Sequence, residues 1–353
     1  LLPVNPLDFW GTGRDAHEVV TGCMRALLDD SDTAALAFSV DLTTEDQPDE
    51  GYIGMAEEVF PETRKPFAML SNFASGIDRG DAKRLEDAGI PVLEGTVTGL
   101  AAFRHLFDLR DHRALPALTG TSPVDTNTQE RWKTLLPAEG SFSEPETLGL
   151  LSDYGVPTVR SQIAGSLDDV VAAAGDIGYP VALKTAMPGI EHKADVGGVR
   201  LGLVHAAEVA RAYRDLADRL GPRVAVAAMA PPGVEIHLGI VRDEQFGPLV
   251  IVAAGGVLVE VLNDRRLALP PLDAARATRL IDRLKVRPLL GGVRGQPPAD
   301  FAALTEAVVA MSWLAHDLGQ HIEALDANPV IVGVDGCVAV DALVVPRRRW
   351  TFR

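Results

Sequence analysis

The feature that most constrains this chain is the stretch from Tyr179 to Gly202. Residues 180–186 are apolar apart from Lys184 and Thr185. Pro188-Gly189 then imposes a turn, because proline fixes its own φ and glycine reaches backbone angles closed to other residues. His192-Lys193 and Gly197-Gly198 follow, and a second largely apolar run occupies residues 199–204. The pattern predicts two strands joined by a loop, with Lys184 mid-strand and His192 in the loop. Glycines let backbone N–H groups come close to phosphate oxygens, and a neighbouring lysine supplies the counter-charge. An ordinary hairpin with its lysines in water satisfies the same local pattern, so the rest of the chain has to decide.

At 353 residues the chain exceeds what one hydrophobic core usually organises, and two or three domains are expected. The formal charge of −16 argues against a nucleic-acid partner, whose phosphates it would repel. A nucleotide needs only a local positive pocket. The two cysteines, Cys23 and Cys337, have neither metal-site spacing nor a disulfide framework, so inert buried thiols and a reducing, cytoplasmic compartment are expected. No apolar run reaches membrane-spanning length and no signal peptide opens the chain. It starts at Leu1 without methionine, which reads as a fragment or a trimmed chain.

Taken in order, Gly11, Thr12 and Gly13 precede a helix over 14–29. A helix N-terminus can hold phosphate, although a plain helix cap is the simpler account of these three residues. Strands over 34–40, 65–71 and 91–94 alternate with helices over 81–88 and 98–109. This predicts a small doubly wound parallel α/β domain over 1–112. Residues 113–143 have little periodicity and read as a linker, with one short helix near 129–135. Residues 144–353 predict a second domain. Helices are expected over 144–154, 167–176, 206–220, 274–284 and 300–318. Beside the lysine strands, strands are expected over 224–229, 234–241, 249–252, 321–326, 330–332 and 337–345. Such a two-lobed α+β domain can hold a nucleotide between its lobes. Near its end, Asp326 and Asn328 are two residues apart and so share a strand face, and Asp341 on the next strand can face them. Converging oxygen donors of this kind suit Mg²⁺, though a turn at Asn328-Pro329 and a surface acid at Asp341 explain the same residues.

Read together, the motifs resemble one family. The ordered set is Lys184, His192-Lys193, Asp195-Val-Gly-Gly-Val199, Gly233-Val-Glu235, Phe246-Gly-Pro248, Gly255-Gly256 with Glu260, Gly292-Val-Arg-Gly295 and Asp326-Ala-Asn-Pro329. It resembles the ATP-grasp domain of the nucleoside-diphosphate-forming acyl-CoA synthetases, relatives of succinyl-CoA synthetase. Asn5-Pro-Leu-Asp8 and Ala88-Gly-Ile-Pro91 resemble the flavodoxin-like ligase domain of the same family. The resemblance implies an ADP-forming acid–thiol ligase that makes acyl-CoA from a carboxylic acid, CoA and ATP through an acyl phosphate and a phosphohistidine. It implies nucleotide binding by Lys184, Lys193, Gly197, Gly198, Met229, Glu235 and Arg294, and Mg²⁺ binding by Asn328 and Asp341, with Asp326 beside them. It also implies that His192 receives phosphate, in keeping with neutral imidazole as a competent nucleophile near pH 7.

Four positions depart from the family pattern: Met187-Pro-Gly189, Ala194, Ala253-Ala254 and Ala327. The family's CoA-binding domain and its upstream histidine domain have no counterpart in the sequence. A second subunit, or homodimerisation placing units in trans, is the expected source of CoA and acid binding. An ATP-grasp carboxylate–amine ligase and a non-catalytic nucleotide-binding subunit are the competing readings. His192 and the N-terminal domain weigh against the first, and the four departures are the support for the second.

Overall fold

The computed structural model describes residues 4–9, 16–43, 50–118, 120–136, 142–190, 193–256, 264–293 and 295–347. The chain divides into two compact units, Leu1–Ala117 and Leu118–Arg353.

In the first unit the elements run α1 (Ala16–Asp29), β1 (Leu36–Ser39), α2 (Glu50–Val59), β2 (Phe67–Ser71), α3 (Arg79–Asp87), β3 (Val92–Glu94) and α4 (Thr96–Arg113). The strands are parallel in the order β1-β2-β3, with Leu36 opposite Phe67 and Met69 opposite Val92. All five residues of β2 are buried, as expected of a strand covered on both faces. Phe67 and Met69 pack with Val20 and Met24 of α1 and with Ile53 and Ala56 of α2. Leu70, pointing the other way, meets α4 beside Gly99. The unexpected element is α2. Gly51 and Gly54 depress its intrinsic helix propensity, and burial of Ile53, Ala56 and Val59 overrides that.

The second unit opens earlier than the linker reading placed it. Helix α5 (Thr126–Leu135) is capped by Asp125, which accepts from Thr128 N. It sends Trp132 into the main core, where the indole N–H donates to Asp153 at 2.8 Å. Burial of Trp132 and Leu136 makes residues 118–136 part of this unit rather than a free connector. The next helix, α6 (Glu144–Asp153), is held by a reciprocal capping box between Ser143 and Glu146.

Two sheets form the two lobes. The smaller has the antiparallel order β4-β7-β5-β6, built from Ser161–Ala164, Val224–Ala228, Val181–Thr185 and Val199–Leu203. Helices α7 (Leu167–Ile177) and α8 (Ala206–Leu220) cover one side of it, around Val170, Leu183, Leu216 and Val226. The larger sheet runs β10-β9-β8-β11-β12, with β13 also pairing with β11. Its strands are β8 (Val234–Asp243), β9 (Gly247–Ala254), β10 (Arg265–Ala268), β11 (Ile322–Gly333), β12 (Gly336–Ala339) and β13 (Ala342–Pro346). Helices α9 (Ala274–Asp282), α10 (Arg287–Leu290) and α11 (Phe301–Leu318) follow β10. The core of this lobe gathers Leu304, Met311 and Leu314 of α11, Ile281 of α9 and Leu151 of α6 against Ile236, Leu238 and Leu325 of the sheet.

The strands expected over 321–326 and 330–332 are one strand, β11, with a register shift between Ala327 and Val330. The strand expected over 337–345 is two, broken at residues 340–341. Strands β4 and β10, four residues each, carry too few residues for a period-2 pattern to stand out. Among the described residues no helix is long and apolar enough to cross a membrane.

Candidate active site

Alternation along β5 decides where Lys184 points. Val181 and Leu183 enter the helix-covered core, so Lys184 leaves by the opposite face, toward the larger lobe. There its ammonium donates to Glu144 Oε1 at 2.8 Å and to the Val340 carbonyl, and lies 3.6 Å from Asp341 Oδ2. Lys193 arrives from the turn after β5. It donates to Glu144 Oε2 at 2.7 Å and to Asp341 Oδ1 and Oδ2 at 3.0 and 3.1 Å.

Two ammonium groups and two carboxylates thus form one charge-balanced cluster at the junction of the lobes. Glu144 comes from the first turn of α6, where a negative charge also suits the helix dipole. Its side chain is 5% exposed against 31% for Asp341, so Asp341 is the member open to solvent. Burial pushes the Asp341 carboxyl upward, but Lys184 and then Lys193 outweigh it and hold the group below its ordinary value. Burial opposes the charge on Lys193 as well, and Glu144 and Asp341 overcome it, so the ammonium is retained above its usual range.

Asn328 belongs to the same place. Ala327 pairs with Ala342, Val330 pairs with Ala339, and Val340 N donates to Pro329 O at 3.1 Å. That unbroken register sets Asn328 opposite Asp341, where cross-strand side chains lie on one side. Asn328 Oδ1 accepts from Gly256 N at 3.4 Å. Glu235 also reaches Gly256, where a Cβ would come 1.6 Å from Glu235 Oε2. Asp326 goes elsewhere: its carboxylate pairs with His237 Nε2 on β8 rather than joining Lys184 and Asp341.

The glycines do not do what their motif suggested. Gly197 N donates to Ala194 O at 2.9 Å and Gly198 N to Lys193 O at 2.7 Å, so both N–H groups close their own turn instead of facing a phosphate. Gly198 is required for another reason. A Cβ there would lie 2.6 Å from Thr185 Cγ2 and 2.8 Å from Lys193 O, so only glycine lets the turn dock on β5. Met229 stands just after β7, its N–H donating to Pro180 O at 3.3 Å. His192, Arg294, Gly11, Thr12 and Gly13 lie outside the described residues.

Sequence reasoning missed Glu144. It stands 40 positions from Lys184, and an acid in the first turn of a helix is already explained by capping, so no local signal set it apart.

This site sits inside a recognised domain. Residues 136–345 match the family described as the ATP-grasp domain, more than half of the chain. The beta subunit of an ADP-forming acetate–CoA ligase from Pyrococcus furiosus is 35% identical over 212 residues, 57% of this chain and 90% of that one. This chain belongs to the ADP-forming acyl-CoA synthetases. A trans-feruloyl-CoA synthase from an unknown prokaryotic organism is 31% identical across 98% of this chain, which spans half of that protein's length. A solved structure of an acetyl-coenzyme A synthetase from Ca. Korarchaeum cryptofilum is 34% identical, covering 62% of this chain and all of that one, with a TM-score of 0.55. It was solved with coenzyme A and Mg-AMPPCP, its phosphohistidine segment pointing toward the nucleotide-binding site. As a chain of this synthetase family, the protein is an ADP-forming acid–thiol ligase whose ATP-grasp part contains Glu144, both lysines, Asn328 and Asp341.

Proposed function

We propose that the lobe junction is where this synthetase takes ATP, and that the phosphoryl group leaves it on His192. The observation that carries the reading is the cluster in which Glu144 and Asp341 occupy the ammonium groups of Lys184 and Lys193. Phosphate oxygens can take the place of the more exposed carboxylate, that of Asp341, because they offer the same charge-assisted bonds. Asp341 and Asn328 then present hard oxygens to a cation. Among the described residues no group of three or more acidic, histidine or cysteine side chains could hold a metal by itself. A donor pair of this kind fits Mg²⁺, which keeps water and phosphate in most of its shell. Bound there, Mg²⁺ would offset the negative charge of the phosphates.

His192 is the chain neighbour of Lys193, whose ammonium is tied to Glu144, so the imidazole belongs within one residue of the cluster. In the reaction a neutral imidazole nitrogen attacks the γ-phosphorus. The N–P bond forms, the bond to the bridging oxygen breaks, ADP departs with that electron pair, and the ring later loses its proton. The phosphoryl group passes to the carboxylic acid, giving an acyl phosphate, and the CoA thiol displaces phosphate from it. CoA and the acid are met on a companion subunit or on segments beyond this chain. The acid itself is set there, since relatives of this same ATP-grasp part act on acids as unlike as acetate and ferulate. Two free cysteines suit a cytoplasmic setting.

The test is incubation with γ-labelled ATP and Mg²⁺, with the companion subunit supplied. The chain should acquire an acid-labile label, and His192→Ala should abolish it while leaving ATP binding within about threefold, since the imidazole reacts rather than binds. Full labelling of His192→Ala overturns the assignment.

A further inference from the structure

We propose that Glu144 is a positioning residue for the nucleotide: its single buried carboxylate holds both phosphate-binding ammonium groups in place. The inference rests on the reading of the lobe junction as the ATP site and adds a residue to it.

The geometry is specific. Glu144 gives one oxygen to each lysine, Oε1 to Lys184 and Oε2 to Lys193. A carboxylate used in this way fixes the separation of the two nitrogens as well as their directions. The three side chains come from three separate segments: α6, the middle of β5, and the turn that follows β5. The turn docks on β5 through Gly198, but α6 lies far from both in the chain, so the Glu144 bridge sets how the two ammonium groups meet it. Two ammonium groups this close repel one another, strongly so where water is scarce, and an anion between them removes that cost.

Asp341 cannot perform this task through a reaction cycle. It is the exposed member of the cluster, and Asn328 lies across from it to share a cation. Once phosphates and a cation draw Asp341 away from the lysines, Glu144 is the carboxylate still holding both. Its burial and its place in a capped first turn of α6 prevent it from swinging out to follow the nucleotide. A carboxylate present only to anchor α6 would need neither lysine, because the Ser143–Glu146 capping box already secures that end.

The experiment compares Glu144→Gln, which keeps shape and removes charge, with Glu144→Asp, which keeps charge but is too short to bridge. Mg-ATP affinity is measured by calorimetry on the whole chain. The rate of acid-labile labelling at subsaturating and at saturating Mg-ATP is measured with the companion subunit present, and folding is checked by circular dichroism. For Glu144→Gln the dissociation constant should rise about 10- to 100-fold, the scale of one charge-assisted contact. The labelling rate should fall at subsaturating Mg-ATP and recover at saturation, because misplaced ammonium groups weaken nucleotide binding rather than the chemical step. Glu144→Asp should restore only part of the affinity, because it keeps the charge and loses the span. If Glu144→Gln does not fold, the Asp variant decides by the same two measurements.

Affinity within twofold of the native protein overturns the proposal. Tighter ATP binding overturns it too, since Glu144 would then be a competitor for the lysines. Lys184→Ala serves as the control. If it binds Mg-ATP as well as the native chain does, the nucleotide-site reading itself fails. If it loses binding while Glu144→Gln does not, only the role given to Glu144 fails.

Discussion

Glu144 and Lys193 stand 49 positions apart in the chain and 2.7 Å apart in the fold. Their contact joins the first turn of α6 to the turn that follows β5, at the residue next to His192. A helix cap in one segment and a glycine turn in another thereby become parts of one phosphate-binding arrangement.

Lys184→Ala should cost the chain both stability and nucleotide. It leaves Glu144 Oε1 and the Val340 carbonyl without their buried donor. Removing one partner of a buried pair costs about 3 kcal/mol, and loss of a phosphate contact should weaken Mg-ATP about 100-fold. Urea unfolding and calorimetry read the two effects. Native-like affinity in the folded variant would count against the site.

Stability against pH should form a plateau with two edges. Asp341 has a depressed pKa, so its contribution is complete above the unfolded value, about 4, and is lost as pH falls through the folded value. Lys193 has a raised pKa, so its contribution is complete below the unfolded value, about 10.4, and is lost as pH rises through the folded value. Asp341→Asn should destabilise the protein by about 2 kcal/mol at pH 7, less than a fully buried pair would lose because Asp341 is partly exposed. The gap between the variant and the native chain should close below about pH 4. A gap that widens on acidification would contradict the ion-pair account. The same variant should need more Mg²⁺ to bind ATP, read by titrating Mg²⁺ at fixed nucleotide.

Gly198→Ala should act through space rather than through charge. The new methyl meets Thr185 and the Lys193 carbonyl at distances no relaxed contact allows. Overpacking at such a point costs about 1–3 kcal/mol. Because the turn must lift from β5, Lys193 should lose its hold on Glu144, and Mg-ATP binding should weaken with little change in the small-lobe core. Thermal melting and nucleotide titration test this. A variant with native affinity would show that the docking of the turn does not matter to the site.

A shortened chain beginning at Leu118 should fold and bind Mg-ATP within about threefold of the full chain, since its units carry separate cores. Every contact of the four-charge cluster lies between residues of the second unit. Loss of binding on removal of residues 1–117 would show that the first unit contributes to the nucleotide site.

Much of this architecture was legible because its signals are local. The strands around Lys184 follow from two apolar runs and from Pro188-Gly189 between them, and α8 and α11 follow from long periodic segments. Elements whose local signals were weak went unread. Helix α2 contains two glycines and β10 has four residues. The short helix α5 was legible, but the linker-like composition around it hid that Trp132 belongs to the main core. The site divides in the same way. The register of β11 against β12 and β13 does set Asn328 opposite Asp341, as the spacing suggested. Asp326 could not be separated from them by spacing, because its partner, His237, lies on β8, next to β11 in the sheet but far from it in the chain.

The sequence by itself determined which chemical groups the chain would offer and roughly in which elements: a lysine inside an apolar strand, a histidine–lysine pair before two glycines, an amide and a carboxylate near the end. Periodicity, turn chemistry and family motifs are written within tens of residues, so they survive without coordinates. Tertiary structure decided which groups meet. It bridged two lysines with Glu144, drew Asp326 to His237, and turned the N–H groups of Gly197 and Gly198 inward. The physical reason is that charge pairing and close packing act over a few ångströms in space, and separation along the chain carries no measure of that distance.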